Sequence, residues 1–152
     1  MSPPIPLAAA LIASALLLAG CDARSTSSSV WVSNPVVRLP AAAGGPGAGY
    51  LTMSASPDHV ALVSISSPRA ERIEIHETMA SGSMTRMRPL ERIELRNGEE
   101  IRFAPGGRHL MLFGVDPALK PGDHISLMLH FSANAGATVS ARVIGPGEEV
   151  PD

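Results

Sequence analysis

The sequence predicts an all-β sandwich, and three observations carry that expectation. Beyond residue 29 the apolar runs are short, rich in Val, Ile and Leu, and often alternate with polar residues, the pattern of half-buried strands. Turn signals separate them at Gly44-Gly45-Pro46-Gly47, Ser56-Pro57-Asp58, Asn97-Gly98, Pro105-Gly106-Gly107 and Lys120-Pro121-Gly122-Asp123. Gly and Pro contribute 14 residues each, which works against long helices. At 152 residues the chain is long enough for one core. With three Phe, one Tyr and one Trp, that core must be mainly aliphatic.

The elements follow in order. Residues 1–21 read as a lipoprotein-type signal peptide. Leu7 to Gly20 is an Ala/Leu-rich run with no Lys or Arg before it, too short to span a bilayer but of the length of a signal-peptide core. Its ending, Leu18-Ala19-Gly20-Cys21, resembles the bacterial lipobox, which would make Cys21 the lipidated first residue of the mature chain. The mature domain then has no thiol, no disulfide and an extracytoplasmic address on the periplasmic side of a bacterial membrane. Asp22 resembles a retention signal for the inner membrane. Residues 22–29 form a Ser/Thr tether whose eight or so residues reach at most roughly 28 Å, keeping the domain near the membrane surface. Residues 30–146 are the β-domain, with strands expected at 30–32, 36–39, 49–54, 59–66, 72–77, 90–95, 101–103, 109–113, 124–132 and 138–144. Residues 147–152 are a short tail.

Lys and Arg number 12 against 14 Asp and Glu, giving a net charge of −2, which argues against a nucleic-acid surface or a polybasic membrane patch. The chemistry concentrates in His76, Met87, His109 and Met111. Two imidazoles and two thioethers suit Cu(I), because soft neutral sulfur has little use for Zn(II), Mg(II) or Ca(II). Side chains two apart in a strand share a face, so His109 and Met111 point one way while Leu110 and Leu112 point the other. In Arg72-Ile73-Glu74-Ile75-His76 the isoleucines face inward, and His76 joins Arg72 and Glu74 on the polar face. Met87 falls in a polar segment, 78–88, expected as a loop. That segment also holds Met79 and Met84, more Met than core filling explains, and these two serve as reserve ligands.

Ten residues separate His76 from Met87, twenty-one separate Met87 from His109, and one separates His109 from Met111. This His-x10-Met-x21-His-x-Met pattern resembles that of the periplasmic PCuAC copper-chaperone family at all four positions. The flanking text is similar too: Ile75-His76-Glu77-Thr78, Met84-Thr85-Arg86-Met87-Arg88-Pro89, Pro105-Gly106-Gly107-Arg108-His109-Leu110-Met111-Leu112, and Gly122-Asp123 before a strand ending in Phe131. The resemblance runs from about Val30 to Ile144. It implies a cupredoxin-like β-sandwich of antiparallel Greek-key strands that binds one Cu(I) per domain and passes it to an acceptor. The acceptor it implies is the CuA centre on subunit II of cytochrome c oxidase, with Sco-type proteins as co-workers. Two departures are visible. The tail Ile144 to Asp152 lacks the His and Met of many members, and Trp31 lies upstream of Pro35-Val36-Val37-Arg38, where members often carry a Trp.

Arg86 and Arg88 flank Met87 and Arg108 precedes His109, so three cations are expected near the ion, where they could dock an acidic acceptor. His59 and His124 read as exposed turn residues with no soft partner at ligand spacing; His130 alternates with Met128 and Ser126 on one strand face, where an auxiliary metal role is conceivable but not the leading reading. Met53, near Tyr50, is expected in the core. No Gly-x-Ser-x-Gly elbow, His-Glu-x-x-His helix, catalytic Cys or phosphate-binding Gly loop is present, so an enzyme is not expected. Copper delivery by a monomer is the leading reading. Extracytoplasmic copper buffering or resistance, and a metal-free lipoprotein scaffold, are the alternatives.

Overall fold

The structure is a computed structural model that describes residues 29–56 and 60–151. The expectations for the leader, Cys21, Asp22, the tether up to Ser28 and His59 lie outside the described residues. Ten strands are formed: β1 (Ser29–Arg38), β2 (Gly47–Ser56), β3 (Val60–Ser66), β4 (Arg72–Ser81), β5 (Met84–Leu90), β6 (Ile93–Leu95), β7 (Glu100–Phe103), β8 (Arg108–Phe113), β9 (His124–Phe131) and β10 (Gly136–Ile144). Among the described residues the only helical element is a 3-10 turn at Ser132–Asn134.

Hydrogen-bonded neighbours run β5-β4-β8-β2-β1-β10-β9-β3-β6, with β7 also paired to β2. Most neighbours are not consecutive in the chain, so the path folds over and its two ends share one aliphatic core. Leu51, Met53, Leu62, Leu110, Leu112, Ile125, Leu127, Leu129 and Val143 are almost completely enclosed there. β9 shows the cause: Ile125, Leu127, Leu129 and Phe131 point inward while His124, Ser126 and His130 point outward. Burying each such aliphatic side chain contributes roughly 1.5–3 kcal/mol against leaving it in water.

Three expectations are corrected. The sandwich is not wholly antiparallel, because β1 and β10 pair in parallel, Val36 against Arg142 through Arg38 against Ile144. The two apolar runs at 30–32 and 36–39 are one strand, interrupted where its register against β2 shifts between Ser33 and Val36. There Asn34 adopts a φ of 50°, which Asn tolerates, and Pro35 brings no N–H to the ladder. Trp31, upstream of the shift, is 56% exposed.

The third correction matters most for function. The polar segment 78–88 is a β-hairpin, not a loop. β4 extends to Ser81, Gly82-Ser83 makes a two-residue turn, and β5 returns in register with Ser81 opposite Met84 and Thr78 opposite Met87. Gly82 has a φ of 62°, the glycine-first arrangement of tight hairpins. The expected strand 90–95 is divided accordingly between the end of β5 and the short β6. The tail is held by Arg38 Nη2, which donates to the Glu148 carbonyl at 2.7 Å, and by Gly145 N–H, which donates to Glu148 Oε2 at 2.8 Å.

Candidate metal centre

Strand register brings the four predicted ligands to one face. His76 on β4 lies directly opposite His109 on β8, and Glu74 lies opposite Met111. On its other side β4 places His76 opposite Pro89 and Thr78 opposite Met87. Side chains two apart share a face, so His76 is the direct neighbour of His109 and the diagonal neighbour of both Met87 and Met111. The opposite face of β4 and β8 carries Ile75, Leu110 and Leu112, which are buried in the core. Leu110 also packs tightly on β2, where a Cβ on Gly49 would sit 3.0 Å from its own Cβ. The candidate ligand side chains thus stand on a floor fixed by core packing.

Met87, His109 and Met111 line one cavity of about 260 Å³ with Ala48, Tyr50 and Thr78. His76 does not line that cavity; its ring lies behind, with its centroid 6.0 Å from that of His109 and the planes tilted by 41°. His109 is 8% exposed and the His76 side chain 13%, whereas Met87 is 61% exposed. Met87 is therefore the ligand candidate most open to solvent. A larger cavity of about 540 Å³, lined by Arg38, Tyr50, Arg102 and residues 149–151, has no imidazole or thioether.

Hydrogen bonds assign the ring nitrogens. His109 Nδ1 lies 3.0 Å from the Gly107 carbonyl, which can only accept, so Nδ1 carries the proton and Nε2 keeps its lone pair. The same carbonyl accepts from Thr78 N–H at 3.1 Å, which ties the β7–β8 turn to β4. His76 Nε2 lies 2.9 Å from Glu74 Oε2. That hydrogen bond, reinforced by Arg72, holds the Glu74 carboxyl below its ordinary value, so Glu74 is ionised and accepts while His76 Nε2–H donates. His76 Nδ1 is buried and has no hydrogen-bond partner. A buried lone pair without a donor is unusual unless a cation or other group is meant to fill the place. Among the described residues no three or more His, Cys, Asp or Glu gather in a metal-binding group, so a site here depends on its thioethers and favours a soft cation.

The remaining candidates separate from this face. Met79 opposes Arg86 and Met84 opposes Ser81, so the pleat turns both thioethers to the side of the hairpin away from Met87. They are 47% and 57% exposed. Arg86, Arg88 and Arg108, expected beside the candidate ligands, do not flank them either: Arg86 opposes Met79 on the far side of the hairpin. Arg88 and Arg108 pair with Glu77 on that same far face, Arg88 Nη2 at 2.9 Å from Oε2 and Arg108 Nε at 3.5 Å from Oε1. Closeness in sequence misleads here because adjacent residues of a strand point apart. His130 hydrogen-bonds Ser66 at 3.1 Å on distant strands, and His124 is exposed at the start of β9. Sequence reasoning missed the Gly107 carbonyl and the hydrogen bond from His76 to Glu74. The Glu-x-His spacing in a strand was the available signal for the second.

Solved PCuAC domains share the architecture. The copper-bound PCuAC domain from PmoF2 superposes with a TM-score of 0.64 at 20% identity, covering 77% of this chain and 93% of that one. The Cu(I) form of DR1885 from Deinococcus radiodurans gives a TM-score of 0.57 at 23% identity over 83% of each chain. Residues 30–143 match the family described as "Putative lipoprotein LpqE-like", and the chain belongs to that family. It is 31% identical over 83 residues to the "Putative lipoprotein Lxx21020" of Leifsonia xyli subsp. xyli, and 32% identical over 83 residues to an uncharacterized protein of Rickettsia prowazekii. The matched stretch spans about half the length of these relatives, 50% and 46% respectively.

Proposed function

We propose that this protein is an extracytoplasmic metallochaperone that binds one Cu(I) through His76, Met87, His109 and Met111 and delivers it to a membrane-associated acceptor. The observation that carries the reading is the convergence of four soft or borderline ligands on one face of β5, β4 and β8, two of them with a ring nitrogen free to ligate. The copper-bound PmoF2 domain and the Cu(I) form of DR1885 support it, since both share the architecture. A neutral His2Met2 set favours the reduced ion and needs no thiolate that an oxidising compartment would remove. The exposure of Met87 lets an incoming acceptor replace the thioethers one at a time, so copper moves through shared coordination without release of a free ion.

The acceptor we propose is the CuA centre of cytochrome c oxidase subunit II, with a Sco-type protein as co-worker. Anchorage through a lipid on Cys21, on the periplasmic side of the inner membrane, would hold the monomeric domain within reach of it. Arg86, opposite Met79, lies with Arg88 and Arg108 on the side of the hairpin away from Met87, so an acidic acceptor docking there would meet the face behind the proposed ligands. Oxidase copper content and activity in a deletion strain grown at low copper test delivery. The expected loss is restored by the wild-type gene and not by a variant lacking the four ligands. Normal oxidase together with raised copper sensitivity would support buffering instead.

A further inference from the structure

We propose that Glu74 is a positioning residue for this site: by holding the Nε2 proton of His76 it presents Nδ1 of that ring to the ion, so that the two histidines ligate through different nitrogens, Nδ1 of His76 and Nε2 of His109. The inference rests on the Cu(I)-binding reading above and adds the protein's means of orienting its ligands. The Glu74 carboxylate is ion-paired with Arg72 through Oε1, so its Oε2, 2.9 Å from His76 Nε2, is the acceptor and the proton lies on Nε2. The only lone pair left on that ring is at Nδ1, buried and without a partner.

Glu74 is itself fixed. Its other oxygen, Oε1, accepts from Arg72 Nε at 2.7 Å, and the Arg72 guanidinium lies 4.2 Å from the ring centroid of Phe113, its partner across the β4–β8 ladder. Phe113, Arg72, Glu74 and His76 thus form a chain along one face, each holding the next, which ends at the ligand. On the neighbouring strand the Gly107 carbonyl does the same for His109 from the opposite ring position. His76 and His109 face each other directly across the antiparallel β4–β8 ladder, with ring centroids 6.0 Å apart. The ring planes are tilted by 41°, so the two rings offer different atoms to a shared ion. Outer groups of this kind set the tautomer and orientation of ligating histidines.

The test uses the purified protein with 15N-labelled histidine and Ag(I), a closed-shell stand-in for Cu(I) whose spin couples to directly bound nitrogen. The apo protein should show His76 protonated at Nε2 and His109 at Nδ1, and the silver form should show coupling to His76 Nδ1 and His109 Nε2. Glu74→Leu should mix the His76 tautomers and weaken Cu(I) binding by about 10–100-fold in a competition titration. Glu74→Gln keeps an oxygen acceptor and should stay within a few-fold of wild type, while amide spectra check that both variants are folded. Silver coupled to Nε2 of His76, or wild-type affinity in folded Glu74→Leu, would overturn the proposal. Failure of either ion to bind the wild-type protein would overturn the copper reading and this proposal with it, whereas binding through the wrong nitrogen would leave the copper reading standing.

Discussion

Replacing Met87 with Leu separates metal binding from stability. Met87 is 61% exposed on the outermost strand of the sheet, and Leu conserves volume and apolarity, so the apo domain should change by no more than about 0.5 kcal/mol. The thioether is nevertheless lost. A ligand that binds only the folded state stabilises it by RT ln(1 + [L]/Kd), about 2.7 kcal/mol when free Cu(I) is held at about 100 times Kd. If the substitution weakens binding tenfold, the same free copper contributes only about 1.4 kcal/mol. For a domain of this size about 1 kcal/mol corresponds to roughly 3–6 °C in Tm, so the copper-induced rise should shrink by about 4–8 °C while the apo Tm stays nearly constant. Anaerobic thermal unfolding of both proteins, with free Cu(I) buffered by a chelator, measures this. An equal copper-induced rise in Met87→Leu would refute the assignment of Met87. Met111→Leu should behave likewise, with an apo cost below about 1.5 kcal/mol because Met111 is half-buried.

Further outcomes follow from the same geometry. Mild peroxide treatment of the apo protein should convert the exposed Met84, Met87 and Met79 to sulfoxide well before the buried Met53, and should weaken copper binding. Bound Cu(I) should then protect Met87 and Met111 but not Met79 or Met84, read by peptide mass spectrometry; protection of all four would mean the hairpin's other face joins the site. Gly82→Ala forces a side chain into a φ of 62°, at a cost of roughly 1–2 kcal/mol borne by the hairpin. Amide exchange at residues 84–88 should quicken while β9 stays protected, and copper affinity should fall; uniform loss of protection would contradict this. Glu74 has a folded pKa below its ordinary value of 4.5, so the unfolded chain binds more protons in acid. Its contribution to apo stability is therefore complete above about 4.5 and lost as pH falls through the folded value, and Glu74→Gln should flatten that part of the pH–stability profile.

What the sequence made legible follows physical periodicity. β8 and β9 were readable because one face must be buried, and the two-residue period that exposes the core also pairs His109 with Met111 and sets His76 beside Glu74. The hairpin was not readable in this way. Nearly every residue of β5 is exposed, so no apolar alternation marks it, and its order comes from the ladder with β4 and a glycine turn. The Ser81-Gly82 pair was the one local sign. Missing the hairpin also hid which side of it each residue occupies, and so placed Arg86 and Arg88 beside the candidate ligands when the ladder sets both on the far face. The parallel β1–β10 pairing joins residues about a hundred positions apart and leaves no local trace. Nor does the choice of ring nitrogen in each histidine, which depends on the carboxylate or carbonyl across from it.

Anaerobic titration of the protein with Cu(I) against a competing chromophoric chelator tests the central claim most directly, with a His76→Ala, Met87→Leu, His109→Ala, Met111→Leu variant in parallel. The proposed site predicts one Cu(I) withdrawn from the chelator per wild-type domain and none by the variant. No competition by the wild type, or equal competition by the variant, would contradict the account.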